Sequence, residues 1–203
     1  MRTGNGLERI TTTFPDVLET SMVSWKNWDR FTDCPPIGHL LREAERNRWC
    51  RFYLLPDGKR TPETSEEISE LVIRWNTISS AVLGIGADIE IWKTSFGPQK
   101  GAEKEWMSVK SRKKWKENPR FAEDIEDALF QFKTAIWVPG DYDDCIREIE
   151  MEEREPIVIL AKVSRSVVCP YSGGVDVFLR EGSMVEATKT LFSKWRSTMA
   201  SGL

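Results

Sequence analysis

PIVILAKV (156–163) is followed by RSVVCP (165–170), a Tyr171-Ser172-Gly173-Gly174 turn and GVDVFLR (174–180). The first stretch is a nearly continuous apolar run of β-branched type, which predicts a central strand buried on both faces. The next two are short strands whose Gly-rich connection signals a hairpin. A hairpin beside a doubly buried strand points to a sheet with antiparallel pairing. Helical patterns on both sides of this block in the sequence then place the chain in the α+β class.

Working outward, Ser183 and Glu186 have capping-box spacing. They predict a final helix over 183–199 that buries Met184, Leu191, Phe192, Trp195 and Met199. Upstream, DYDDCIREIEMEERE (141–155) predicts a helix with an acidic first turn, Tyr142, Ile146 and Ile149 facing inward. QFKTAIWVP (131–139) reads as a strand, and FAEDIEDALF as a helix with Phe121, Ile125 and Leu129 in line. The clearest helix spans 65–83. Thr64 and Glu67 form its capping box, and Ile68, Leu71, Val72, Trp75, Ile78 and Val82 share one face, with Gly84 and Gly86 at its end. WCRFYLLP (49–56) and DIEIWKT (88–94) are predicted strands, and Asp57-Gly58 is a tight-turn dipeptide. Pro36 suits the first turn of a helix over 37–47. A short helix is predicted from Asp16 to Trp25, after a polar, Thr-rich segment 1–13.

These elements predict one α+β domain over 1–203. Its single mixed or mostly antiparallel sheet packs against helices. Residues 95–120 are polar and Lys-bearing, and are expected to form a surface insertion. The composition is that of an ordinary globular chain, with 203 residues, 40% hydrophobic and 30% charged. The net charge of −3 argues against nucleic-acid binding by bulk charge. No apolar run reaches the ~20 residues of a membrane span. The N-terminus lacks the apolar stretch of a signal peptide, so a cytoplasmic location is expected. One histidine and four cysteines without a C-x-x-C pair predict no metal site of the usual kind and no cofactor. Nine tryptophans are a surplus that serves either the core or partner anchoring.

Two blocks carry a resemblance. RWCRFYLLPDGKRTPETSEE (48–67) with RWNTI (74–78), and PYSGGVDVFL (170–179) with WRSTMASGL (195–203), resemble a family of uncharacterised bacterial proteins. That family is known only as a domain of unknown function. The pattern differs here in carrying Trp75 where a histidine is expected. The resemblance implies a bacterial cytosolic globular protein and no particular activity.

The candidate ligand-binding residues are Arg51, Lys59, Arg60, Arg74, Asn76, Tyr171 and Asp176. Lys59 and Arg60 precede the helix start at Thr64, where unpaired N–H groups favour an anion. The plainer reading is a basic turn paired with Glu63, Glu66 or Glu67. Arg74 and Asn76 flank the Trp75 face and would line a groove with Arg51; alternatively, Arg74 pairs with Glu70 one turn earlier. The glycines beside Tyr171 would let backbone approach a ligand, or simply make the hairpin turn. Asp176 is expected on the less apolar side of its strand, where a lone carboxylate more often partners Arg or Lys than acts as a base. KSRKKWK (110–116), basic residues around Trp115 with Trp106 nearby, would suit single-stranded nucleic acid or an anionic surface; the plainer reading is a solvated loop whose charge Glu103, Glu105 and Glu117 dilute. His39 has no second histidine, and no nucleophile–base motif is present, so evidence for an enzyme is thin. The leading expectation is a non-enzymatic protein-binding module, steered by the acidic 141–155 stretch; immunity-type neutralisation of a toxin is one form of it. The alternative is a small-ligand or anion-binding protein, or an enzyme, with a polar cleft near Arg51, Lys59, Arg60, Arg74 and Asp176.

Overall fold

The apolar stretch that opened the sequence analysis is the middle strand of the sheet. In the computed structural model, which describes residues 25–96 and 105–196, seven strands are hydrogen-bonded side by side: β1 (Trp49–Tyr53), β2 (Asp88–Phe96), β3 (Met107–Val109), β4 (Ala128–Ile136), β5 (Ile157–Ala161), β6 (Val167–Tyr171) and β7 (Gly174–Phe178). Their order is β1-β7-β6-β5-β2-β4-β3, and every pairing is antiparallel. The α+β class holds, and the sheet is antiparallel throughout its described part.

Both faces of β5 are covered. Ile157, Ile159 and Ala161 join one core; Val158 and Leu160 join the other. The first core lies under α3 (Ser65–Leu83), α6 (Asp143–Glu150) and α7 (Val185–Leu191). The second lies under a helical segment over 25–31 (α1), α2 (Gly38–Ala44), and the short helices α4 (Lys113–Lys116) and α5 (Ala122–Ile125). That second core is aromatic: Trp25 stacks on Trp92 at 4.5 Å, and Trp92 stacks on Phe132 at 4.9 Å. Each such buried ring removes enough apolar area from water to contribute ~1.5–3 kcal/mol.

α3 forms where its pattern places it. The Thr64 hydroxyl accepts from Glu67 N–H at 3.2 Å, which satisfies one of the unpaired donors of the helix start, and the Glu67 carboxylate accepts from Glu63 N–H at 2.7 Å just ahead of the cap. The C-terminal helix departs from expectation. The final helix is broken into a 3-10 turn at Gly182–Met184, α7, and a 3-10 turn at Ser193–Trp195. Ser183 makes no capping bond. Phe192 is buried and Trp195 packs on the first core as expected, whereas Met184 and Leu191 are 46% and 68% exposed and Val185 is buried in their place. Thr188 and Thr190 turn their hydroxyls back onto carbonyls four residues earlier, which weakens a short helix.

The other corrections concern boundaries. Only Ala122–Ile125 of the 121–130 stretch is helical, and β4 starts at Ala128, because nine residues of ladder with β2 place Phe130 and Phe132 alternately inward. The helix expected over 141–155 is limited to Asp143–Glu150. β1 stops at Tyr53, and Pro56–Gly58 forms a 3-10 turn with Asp57 at φ 55°. Residues 97–104 lie outside the described part of the 95–120 stretch. On either side of them, β2 runs on to Phe96, β3 pairs with β4, and Trp115 is buried beside Trp25 and Phe130. The segment 1–13, the Asp16–Trp25 helix up to residue 24, and Met199 lie outside the described residues.

Candidate functional site

Arg51 on β1 and Asp176 on β7 are directly opposite in the antiparallel register. Opposed residues on one face of such a pair have Cβ atoms ~5 Å apart, close enough for an ion pair. Arg51 Nε donates to Asp176 Oδ1 at 2.9 Å, and Trp49 Nε1 donates to the same oxygen at 2.8 Å. Arg42, from α2, donates to Asp176 Oδ2 at 2.9 Å. Asp176 is fully buried and partners two arginines, the plainer of its two sequence readings. Four donors from three side chains satisfy its oxygens. A charge desolvated this completely is tolerable only when it is paired in this way.

Above this cluster, the Arg51 guanidinium lies 4.4 Å from the Tyr171 ring centre and 5.4 Å from that of Trp49, in cation–π contact. Arg42 approaches the same Tyr171 ring at 6.0 Å. Burial, reinforced by Asp176, pushes the Tyr171 phenol well above its ordinary range, so the group stays neutral.

The loop around residues 56–64 meets the β6–β7 hairpin here. Gly173 has φ 93°, and a Cβ on it would lie 3.0 Å from the Lys59 carbonyl. The close approach therefore needs glycine for both conformation and space. The Gly173 N–H donates to Glu150 Oε2 at 2.8 Å. Glu150 ends α6 and is fully buried; its Oε1 has no hydrogen-bond partner among the described residues. Burial pushes its carboxyl up to about 8, only partly offset by the Gly173 N–H.

Together these parts enclose a cleft of about 560 Å³, lined by Arg42, Arg51, Arg60, Tyr53, Tyr171, Ser172, Gly58 and Gly173. Three guanidinium groups line it and no carboxylate does. Arg60 is exposed and has no ion-pair partner among the described residues.

Of the candidate residues, Arg51, Arg60 and Tyr171 line this cleft, with Asp176 beneath it. Lys59, Arg74 and Asn76 do not line it. Lys59 pairs with Glu67 at 2.6 Å and Glu63 at 3.1 Å. Arg74 pairs with Glu70 at 2.7 Å. Asn76 donates to Asp143 and accepts from Gly140 N–H, tying α3 to the start of α6. Trp115 is buried and unavailable to stack a base, while Arg112 and Lys114 pair with Asp29 and Asp33. The four cysteines are free, and three of them are buried. Among the described residues, no group of three or more His, Cys, Asp or Glu is placed to hold a metal ion, and no helix is long and apolar enough to cross a membrane.

Sequence reasoning missed Arg42 and Glu150. Arg42 carries no local signal. Glu150 is hidden in an acidic run, yet it follows Ile146 by four residues and Ile149 by one, the spacing of an inward helical face.

Residues 37–200 match the family described as Domain of unknown function (DUF3885). The chain belongs to the DUF3885 family. The matched DUF3885 region contains every residue of the cleft and of the Asp176 cluster, whereas α1 precedes it. No curated protein and no solved structure matches the chain.

Proposed function

We propose that this domain binds a small anionic ligand in the cleft between the 56–64 loop and the β6–β7 hairpin. One observation carries the reading: three arginines converge on a concave surface that no carboxylate lines, in a chain whose net charge is −3. Asp176 offsets one of those charges from below and leaves an excess at the surface. Guanidinium forks suit phosphate or carboxylate oxygens, and Tyr171 and Trp49 hold the Arg51 fork in place before any ligand arrives. Calorimetric titration of inorganic phosphate at low ionic strength tests this. Binding is expected, and Arg60→Ala should weaken it by ~10- to 100-fold, the ~1.5–3 kcal/mol of a hydrogen bond to a charged group. Absence of binding, or an unchanged affinity in Arg60→Ala, removes the reading.

A second reading is a protein-binding module for a basic partner, immunity-type neutralisation being one form. Asp141, Asp144, Glu152, Glu153 and Glu155 are exposed around α6 and support it. Charge complementarity of this kind mainly raises the association rate. If it holds, a stoichiometric partner captured from the source cell is lost when Glu152 and Glu153 are changed to Lys; capture of no partner, or equal capture by both forms, counts against it.

A further inference from the structure

Arg42 and Tyr171 line the arginine cleft. The same two side chains also line a second compartment of about 230 Å³ between the start of α2 and the sheet. A volume of that size falls below the ~300–1,000 Å³ typical of small-molecule pockets, so it makes sense as an annex of the larger cleft rather than as a site of its own.

Its lining differs in kind from that of the arginine side. Ile37, Phe96, Pro156, Val158 and Cys169 present apolar surface. The polar groups that line it have partners: Thr94 donates its hydroxyl to the Pro36 carbonyl at 3.1 Å, the Asp176 oxygens are filled by Arg42, Arg51 and Trp49, and the His39 Nε2 lies 2.9 Å from Asp124 Oδ1. Gly38 in its wall packs directly on Cys169, where a Cβ would lie 2.8 Å from the sulfur. Glu155, exposed at its rim, repels an anion from this end. Charge therefore orients a ligand with its head among the arginines and its body between α2 and the sheet.

We infer that the ligand is a small organic anion in two parts, an anionic head joined to a flat, apolar ring. The ring is lodged against Phe96 and Val158. This inference rests on the anion-binding reading of the same cleft.

Calorimetry with inorganic phosphate and with phenyl phosphate separates the two. Phenyl phosphate should bind about tenfold or more tightly than inorganic phosphate, as expected for burying a ring. Phe96 is half-exposed at the end of β2, so Phe96→Ala should fold. That variant should lose most of the gain while keeping the affinity for inorganic phosphate. The Gly38 amide resonance should shift with phenyl phosphate and stay in place with inorganic phosphate. Equal affinities for the two probes overturn the inference and leave the anion reading intact. A gain that survives Phe96→Ala with no shift at Gly38 also overturns it, because the ring then sits elsewhere. Binding of neither probe overturns both.

Discussion

Glu150 is the side chain whose surroundings make the sharpest demand on solution behaviour. A fully buried carboxyl with one hydrogen bond is cheaper to hold neutral than charged. Its pKa rises from 4.5 in the unfolded chain to about 8 in the fold. Between those values the folded state keeps a proton that the unfolded state has lost. Stability contributed by the neutral group is therefore complete below about pH 4.5, declines as pH rises, and is gone above about pH 8. At ~1.4 kcal/mol per pKa unit the change is on the order of a few kcal/mol. Glu150→Gln keeps an acceptor for Gly173 N–H and cannot ionise. Urea unfolding across pH 5–9 should show a falling midpoint in the wild type and a flatter one in the variant; parallel profiles would assign the slope to other groups. At this scale, the sequence shows the Arg51–Asp176 pair only as two candidates on different strands. Their pairing depends on β1 lying beside β7, a register that no local pattern encodes. Arg42 adds a third partner from a helix far away in the chain.

Among the elements, legibility follows how many independent signals agree. α3 has a cap, an apolar face and terminal glycines, and its boundaries match the sequence reading. β5 is apolar on successive residues, which suits only a strand covered on both sides. α7 has one apolar pattern and one apparent cap, and tertiary packing keeps Phe192 from that pattern but buries Val185 in place of Met184 and Leu191. The first residues of β4, Ala128 and Leu129, also fit a helical stripe; pairing with Phe96 and Ser95 of β2 outweighs that local preference. The acidic stretch before β5 concealed the inward position of Glu150, since charge count drew attention away from spacing.

Taken as a whole molecule, the fold is wider than the family match. The match begins at residue 37, yet Trp25, Trp28 and Phe31 are buried in the second core. Trp28 also donates its indole N–H to the Cys34 carbonyl at 2.7 Å, and Asn27 donates to the buried Glu90 at 2.6 Å. Removing the chain up to residue 36 uncovers Trp92 on the central sheet and strips Glu90 of its amide partner. Loss of a single large aromatic from a core costs ~3–5 kcal/mol, and here three go together. The shortened protein should lose its cooperative urea transition, while a form starting at residue 25 should keep it. The two cores, one on each face of one sheet, were foreshadowed by the doubly apolar β5. The cleft was legible in part: Arg51, Arg60 and Tyr171 are candidates that do line it, whereas Arg42 arrives from α2 with no local signal, and Lys59 and Arg74 are held elsewhere by Glu67 and Glu70.

The arginines of the cleft also differ in how deeply they sit. The Arg51 side chain is 7% exposed and locked to Asp176, whereas Arg60 stands in solvent. Dissolved salt reaches the second and barely touches the first: the screening length is ~8 Å near physiological ionic strength and shrinks to ~3 Å at 1 M. Concentrated salt should therefore empty the cleft without loosening the fold around it. A molecule carried from the cell would be retained through dilute buffers and washed away by a high-salt column step.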